Sequence, residues 1–467
     1  MTPATESALA SIRAAGLPER ETREWTAAFP ATTGSCQSDT SGYGAFWLRS
    51  AGLLRRLPPK PRRNGAEQAA ADALISVARA SREAFLTAHV DEIYSRLTEH
   101  RSIFRRLDDL TYAAAILVPG LVPTRAEVEA EAAHRQGDKD GVEIDQGLFL
   151  SHVLARPLSG EHLCHAMLLP RPESEALAAE FAVRGSLDLG PARLTRRGKA
   201  VHLEMINPRF LNAEDDTTLS RTELAVDVAT LDRTTDIAVM RGVAVDNEKY
   251  RGKRIFGAGI NLTHLYLGKI PFLWFLIRDL GYVHKLLRGV AAPDSAPDDV
   301  NGRGVEKLWI AAVDTFAIGG HCQALLVMDY VLAASDAFLT LPARKEGIIP
   351  GFSNLRLPRF TGDRIARQAI LYERRLVCDS AEGRLICDEI APAAEMDQAV
   401  DRVVAGLTSA GAVSAIGNRR AFRVGQESLD VFRRYASVYA REQAYCHFSP
   451  ALIANLERNW DARNRKV

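Results

Sequence analysis

Apolar positions recur at steps of three and four from Gly65 to Leu110, with Leu74, Val77, Ala78 and Phe85 followed by Ile93 and Leu97. That spacing predicts a long amphipathic helical segment. The basic, proline-rich "RRLPPKPRRNG" before it reads as an exposed connector. Strand signals stay sparse as far as Asp188, so residues 1–188 are expected to form a mostly helical N-terminal domain. The texture then changes. In "ARLTRRGKAVHLEMINP", Val201, Leu203 and Met205 alternate with His202 and Glu204 around the turn-like "RRGK", which predicts a β-hairpin. A helix-compatible stretch from Asp216 to Leu231, the strand "IAVMRGVAV", the glycine-rich "FGAGINL" and a helical section through Leu287 come next. Past the acidic loop "APDSAPDDVNGRG" stand the buried strand "KLWIAAV", the glycine pair of "IGGHCQALLVMDY" and the strand "AFLTLP". Strands alternating with helices at this spacing imply an α/β layered domain with crossover connections, here residues 189–421. From Phe422 the chain is aromatic and amphipathic, a helical C-terminal arm over 422–467. Its Tyr435, Tyr439, Tyr445 and Trp460 are costly to expose, so it is expected to pack on another element or subunit.

Length changes the picture first: 467 residues exceed what one core usually serves, so several domains are expected. With 59 basic against 58 acidic side chains, no global charge favours nucleic acid or an anionic membrane, and an anionic ligand must be met by local charge. The start is charged and lacks an apolar signal core, and the most apolar stretches, "YAAAILVPGLVP" and "IPFLWFLIRDL", are too short to span a bilayer. A cytoplasmic protein with free thiols is therefore expected, its six cysteines showing no C-x-x-C pair. The cluster His162, Cys164 and His165 in "HLCH" has no second ligand group at a familiar spacing and reads as ordinary side chains, so no metal is expected.

The candidate chemistry lies in the two glycine turns. "FGAGINL" and "IGGHCQ" each put small residues at the end of an extended run and open a helix, so each offers backbone N–H donors. Two such donors converging on one point form an oxyanion hole, worth about 3 kcal/mol per donor when charge develops on a carbonyl oxygen.

From about Ala192 to Gly351 the chain resembles the crotonase (enoyl-CoA hydratase/isomerase) superfamily. The resemblance covers the hairpin, "FGAGINL", "AIGGHCQALLVMDYVLAASD" and "LPARKEGIIPGFSNLRL". It implies a crotonase-type layered β-β-α core, preceded by the helical N-terminal domain and followed by the helical arm. It also assigns the oxyanion hole of a thioester enolate to the amides of Ile260 and Gly320. Hydratases of the superfamily use two glutamates where this chain has Gln323 and Ala343, which have no proton to exchange near neutral pH. Hydration of a double bond is therefore not expected.

Longer motifs, "NPRFLNAEDDTTLSRTELAVDVA", "RGKRIFGAGINLTHLYLGKIPFLWFLIRDLGYVHK" and "EQAYCHFSPALI", resemble a branch of cofactor-independent dioxygenases that act on arylacetyl-CoA thioesters in antibiotic pathways. That resemblance implies a substrate ring with two phenolic hydroxyls, met by Glu214, Arg278 and Gln323, and places Ile348 near the reacting carbon and the oxygen pocket. It also implies O2 as co-substrate, coenzyme A as part of the substrate, no other cofactor, and a trimer or a dimer of trimers. Arg209 and Arg254, basic residues beside the hairpin end and the first glycine loop, are candidates for the coenzyme phosphates. His321 adjoins the oxyanion glycine, and the residues name no base for the first proton. The rival classes are a crotonase-type thioester hydrolase or isomerase, which would not consume O2, and a catalytically silent acyl-CoA-binding protein.

Overall fold

The computed structural model describes residues 3–465. Among these residues ten strands form two sheets, and the larger one starts with β1 (Ser186–Asp188), β2 (Ala192–Arg197) and β3 (Ala200–Met205) as an antiparallel meander. Parallel pairing then adds β4 (Ile237–Gly242), β5 (Leu308–Val313), β7 (Tyr330–Ala334) and β10 (Glu389–Ala391) in that order. β6 (Phe316–Ile318), β8 (Phe338–Thr340) and β9 (Leu376–Val377) make the smaller sheet. The hairpin follows its alternation: Val201, Leu203 and Met205 are buried while His202 and Glu204 are half-exposed. In β5 every residue is buried, which is why "LWIAAV" is a continuous apolar run.

The crossovers position the site. Helix Leu219–Leu231 links β3 to β4, and between β4 and β5 run the first glycine loop and helices Leu262–Tyr266, Leu273–Leu280 and Tyr282–Arg288. Beyond β5, β6 delivers the chain to helix Gly320–Leu325. Isolated parallel bridges Glu214–Ile260 and Gly257–Ala317 lay three connecting segments side by side at this end of the sheet.

The N-terminal region is helical, as its pattern predicts, but the helix from Gly65 stops at Leu97 rather than Leu110. Thr98 caps it by donating its hydroxyl to the Tyr94 carbonyl at 2.7 Å, and Glu99, His100 and Arg101 follow with φ of 48, 61 and 67. A second helix, Leu107–Leu117, resumes the apolar pattern. The preceding basic run is partly anchored: Arg63 forks onto Asp140 at 2.6 and 2.8 Å.

One hydrophobic cluster joins Trp47 and Phe85 of the N-terminal helices, Leu203 and Trp309 of the sheet, and Phe432 and Ala444 of the arm. Helix Leu429–His447 lies against helix Ile144–Ala155 so closely that a Cβ on Gly147 would come 2.5 Å from that of Ala444. The aromatic tail thus packs on its own chain, with Tyr439 buried and Tyr435 and Trp460 half-buried, although Tyr445 stays 39 % exposed against expectation. Among the described residues no single helix is long and apolar enough to cross a membrane.

Candidate active site

Both glycine turns depend on glycine for contact. Gly259 has φ 80, and a Cβ there would lie 3.3 Å from the Gly320 nitrogen; Gly319 has φ 54. Two chain segments can approach this closely only where neither carries a side chain. The first loop is buttressed by His321, whose Nδ1 accepts the Gly259 N–H at 3.1 Å. The imidazole lies against Gly257, where a Cβ would meet three ring atoms at 2.3 Å. Burial pushes the His321 pKa down to about 4. A neutral ring accepting at Nδ1 carries its proton on Nε2, so this histidine is a support for the loop.

Among the described residues, neither the Ile260 nor the Gly320 amide donates a hydrogen bond within the protein, although their neighbours do. Asn261 donates to the Glu214 carbonyl at 2.7 Å and Gly319 to that of Thr340 at 2.9 Å. Buried amides without acceptors are rare because each forfeits a hydrogen bond, so buried Ile260 and half-buried Gly320 leave two free donors on adjoining turns that line one cavity.

That cavity is also lined by Glu214, Arg278, Gln323 and Ile348. Arg278 is the hub. Its Nε donates to both Glu214 oxygens at 2.9 and 3.0 Å, Nη1 to Asp279 at 2.6 Å and to Gln323 Oε1 at 3.0 Å, and Nη2 to the Gly320 carbonyl at 2.5 Å. Burial opposes its charge, but Glu214, Tyr282 and Asp279 outweigh burial and hold its pKa well above the ordinary value. The Tyr282 hydroxyl donates to Glu214, and that of Tyr439 bonds Asp279. Helix Leu273–Leu280 therefore turns Arg278 inward, 2 % exposed, because two carboxylates wait there. An array of carboxylate, guanidinium and amide offers acceptors and donors to hydroxyls on an apolar ring, and Trp274, Phe275 and Leu341 supply apolar wall.

Six of the candidate residues thus meet at one cavity, and two do not. Arg254 donates to Glu204 at 3.0 Å, and Arg209 is exposed with its guanidinium 5.4 Å from the centre of the Phe210 ring. His162 bonds Tyr94 at 2.7 Å and the Arg101 carbonyl at 3.1 Å, in keeping with a structural role for "HLCH". Asp279, Tyr282, Tyr439 and Glu346 belong to the site, or brace it, without having stood out in the sequence. Tyr439 arrives from the arm, more than 150 positions beyond Tyr282, so only the fold brings the two onto one network.

A family profile described as enoyl-CoA hydratase/isomerase matches residues 302–424. The chain is 45% identical over 393 residues, 84% of its length and 89% of the relative's, to a (3,5-dihydroxyphenyl)acetyl-CoA 1,2-dioxygenase from Amycolatopsis orientalis. The chain belongs to the crotonase, or enoyl-CoA hydratase/isomerase, superfamily. Solved structures that align with it include an enoyl-CoA hydratase from Mycobacterium avium subsp. paratuberculosis K-10, at 20% identity and TM-score 0.47 over 58% of this chain and 98% of that one. An enoyl-CoA hydratase/isomerase from Xanthobacter autotrophicus Py2 aligns at 20% identity and TM-score 0.47, over 59% and 96%.

Proposed function

We propose that this enzyme is a dioxygenase that converts (3,5-dihydroxyphenyl)acetyl-CoA and O2 to 3,5-dihydroxyphenylglyoxylate and coenzyme A, without metal or flavin. The observation that carries the reading is the pair of unpartnered amides, Ile260 and Gly320, lining one cavity with an Arg278-centred cluster suited to phenolic hydroxyls, Arg278 itself bonding the Gly320 carbonyl. The 45% identity to a dioxygenase of that substrate supports it.

The chemistry follows from the substrate. The benzylic C–H beside a thioester is acidic because ring and carbonyl share the negative charge, and the two amides stabilise the oxygen on which most of it settles. The electron-rich enolate transfers one electron to O2, and the radical pair recombines as a peroxide at the benzylic carbon. Its terminal oxygen attacks the thioester carbonyl and expels coenzyme A as thiolate. Loss of the second benzylic proton with cleavage of the O–O bond leaves the arylglyoxylate, with both atoms of O2 in the product. Ile348 and the apolar wall keep water from the enolate and leave room for O2. Glu214, Arg278 and Gln323 hold the ring hydroxyls. Arg209 offers its charge to the coenzyme phosphates from the surface, while Arg254 does so only if Glu204 yields it.

Metal-stripped protein mixed with the substrate, with dissolved oxygen and free thiol followed together, tests the reading. Coupled loss of O2 and release of thiol in equal amounts is expected. Thiol release without O2 loss would make the protein a hydrolase, and neither change would make it a binding protein.

A further inference from the structure

The mechanism above lacks a proton acceptor, and the cavity wall contains one carboxyl that it does not use. Glu346 ends the short helix Ala343–Glu346, which starts directly after Pro342 and closes on Gly347 at φ 82. That left-handed turn sends the chain on to Ile348, so Glu346 and Ile348 line the same cavity as Gly320 and Glu214. The other ionisable groups there are committed: Glu214 to Arg278 and Tyr282, Asp279 to Arg278 and Tyr439. Glu346 is 8 % exposed and, among the described residues, its carboxyl has no hydrogen-bond partner in the protein. A buried acid left without a partner in a reaction chamber has a cost that structure alone does not repay.

We propose that Glu346 is the base that takes the benzylic proton of the bound thioester, an inference resting on the dioxygenase reading above. The proton passes to a Glu346 carboxylate oxygen. The C–H electron pair becomes the C=C bond of the enolate, and the carbonyl π pair moves onto the oxygen held by Ile260 and Gly320. Burial first, and Glu373 behind it, push the Glu346 pKa up to about 8. Its ionised form is thus a stronger base than an exposed carboxylate and is accessible near neutral pH. The charged groups around it are Glu373, which follows helix Ser353–Tyr372 as its cap and pairs with Lys345 at 2.7 Å, and the Glu214–Arg278–Asp279 network that lines the same cavity. Helix Pro450–Trp460 presents Asn455 and Asn459, which bond the Arg344 and Lys345 carbonyls, while its Glu457 is held by Tyr266 and Arg463.

The test measures kcat/KM for O2 consumption from about pH 6 to about pH 9 in wild type, Glu346→Gln and Glu346→Asp. Alongside it, binding is measured for a substrate analogue with an amide in place of the thioester. Wild-type activity is expected to rise with pH up to about 8. Glu346→Gln should lose roughly 10²- to 10⁴-fold and the pH rise while binding the analogue normally, and Glu346→Asp should keep part of the activity. Retention of activity within about tenfold in Glu346→Gln would overturn the proposal. So would loss of analogue binding in step with activity, since Glu346 would then be a support of the cavity. If wild type consumes no O2, the dioxygenase reading itself fails. Exchange of the benzylic protons in D2O under nitrogen then decides the role of Glu346: loss of exchange in Glu346→Gln supports it, and an unchanged rate refutes it.

Discussion

A Cβ on Gly320 would lie 2.6 Å from a Glu214 oxygen and 3.0 Å from Arg278 Nη2, so the proposed oxyanion turn and the proposed ring-binding cluster have no clearance between them. Gly320→Ala is therefore expected to cut kcat by about 10²-fold or more with the fold retained, read by turnover beside a melting curve. Arg278→Ala leaves Glu214 buried without its cation and should destabilise the protein by roughly 3–5 kcal/mol in denaturant titration. At temperatures where it stays folded, its activity should fall further on the dihydroxy substrate than on a ring lacking hydroxyls; equal losses would remove its ring-binding role. Glu346 also has a stability signature. Its folded pKa of about 8 lies above the ordinary 4.5, so its contribution is complete below pH 4.5 and is lost as pH rises through 8. The melting temperature of wild type should accordingly fall relative to Glu346→Gln across that window. The sequence showed which residue types were available but not which way they turned: Arg278 on an amphipathic helix would ordinarily face water, and Glu214, 64 positions away, is what joins neighbouring Asp279 and Tyr282 in explaining its inward turn.

Among elements, the two glycine turns were legible because their signal is local, a buried run, small residues and a helix start. The hairpin was legible because its burial alternates residue by residue. The break after Leu97 was not, since Glu99, His100 and Arg101 adopt left-handed backbone with neither glycine nor proline to announce it. The support of the first turn was equally hidden, because His321 acts on Gly257 and Gly259 across more than sixty positions. Gly257→Ala would press a methyl group into a buried imidazole that has no room to withdraw. It should displace the Ile260 amide and lower kcat by about tenfold or more while the phenol-binding cluster survives. Unchanged affinity for the amide analogue with reduced kcat is the expected pattern.

At the scale of the whole molecule, the N-terminal helices, the sheet and the arm share one apolar core, and the arm's Tyr439 stands in the cavity wall. Removing residues 422–467 should therefore abolish cooperative melting rather than leave a folded catalytic fragment, which circular dichroism and limited proteolysis can read. The aromatic character of this arm was plain in the sequence. Its docking place was not, because helix Ile144–Ala155 offers a notch at Gly147 whose meaning appears only once Ala444 fills it.

The arm also sets a clock. Helix Leu429–His447 leaves the ribosome after every other part of the reaction chamber except the covering helix Pro450–Trp460. A nascent chain that has already paired its strands still has a chamber open to solvent, where a carbanion would be quenched before oxygen reached it. Catalytic use of the chamber thus waits until Tyr439 has been synthesised and helix Leu429–His447 has docked.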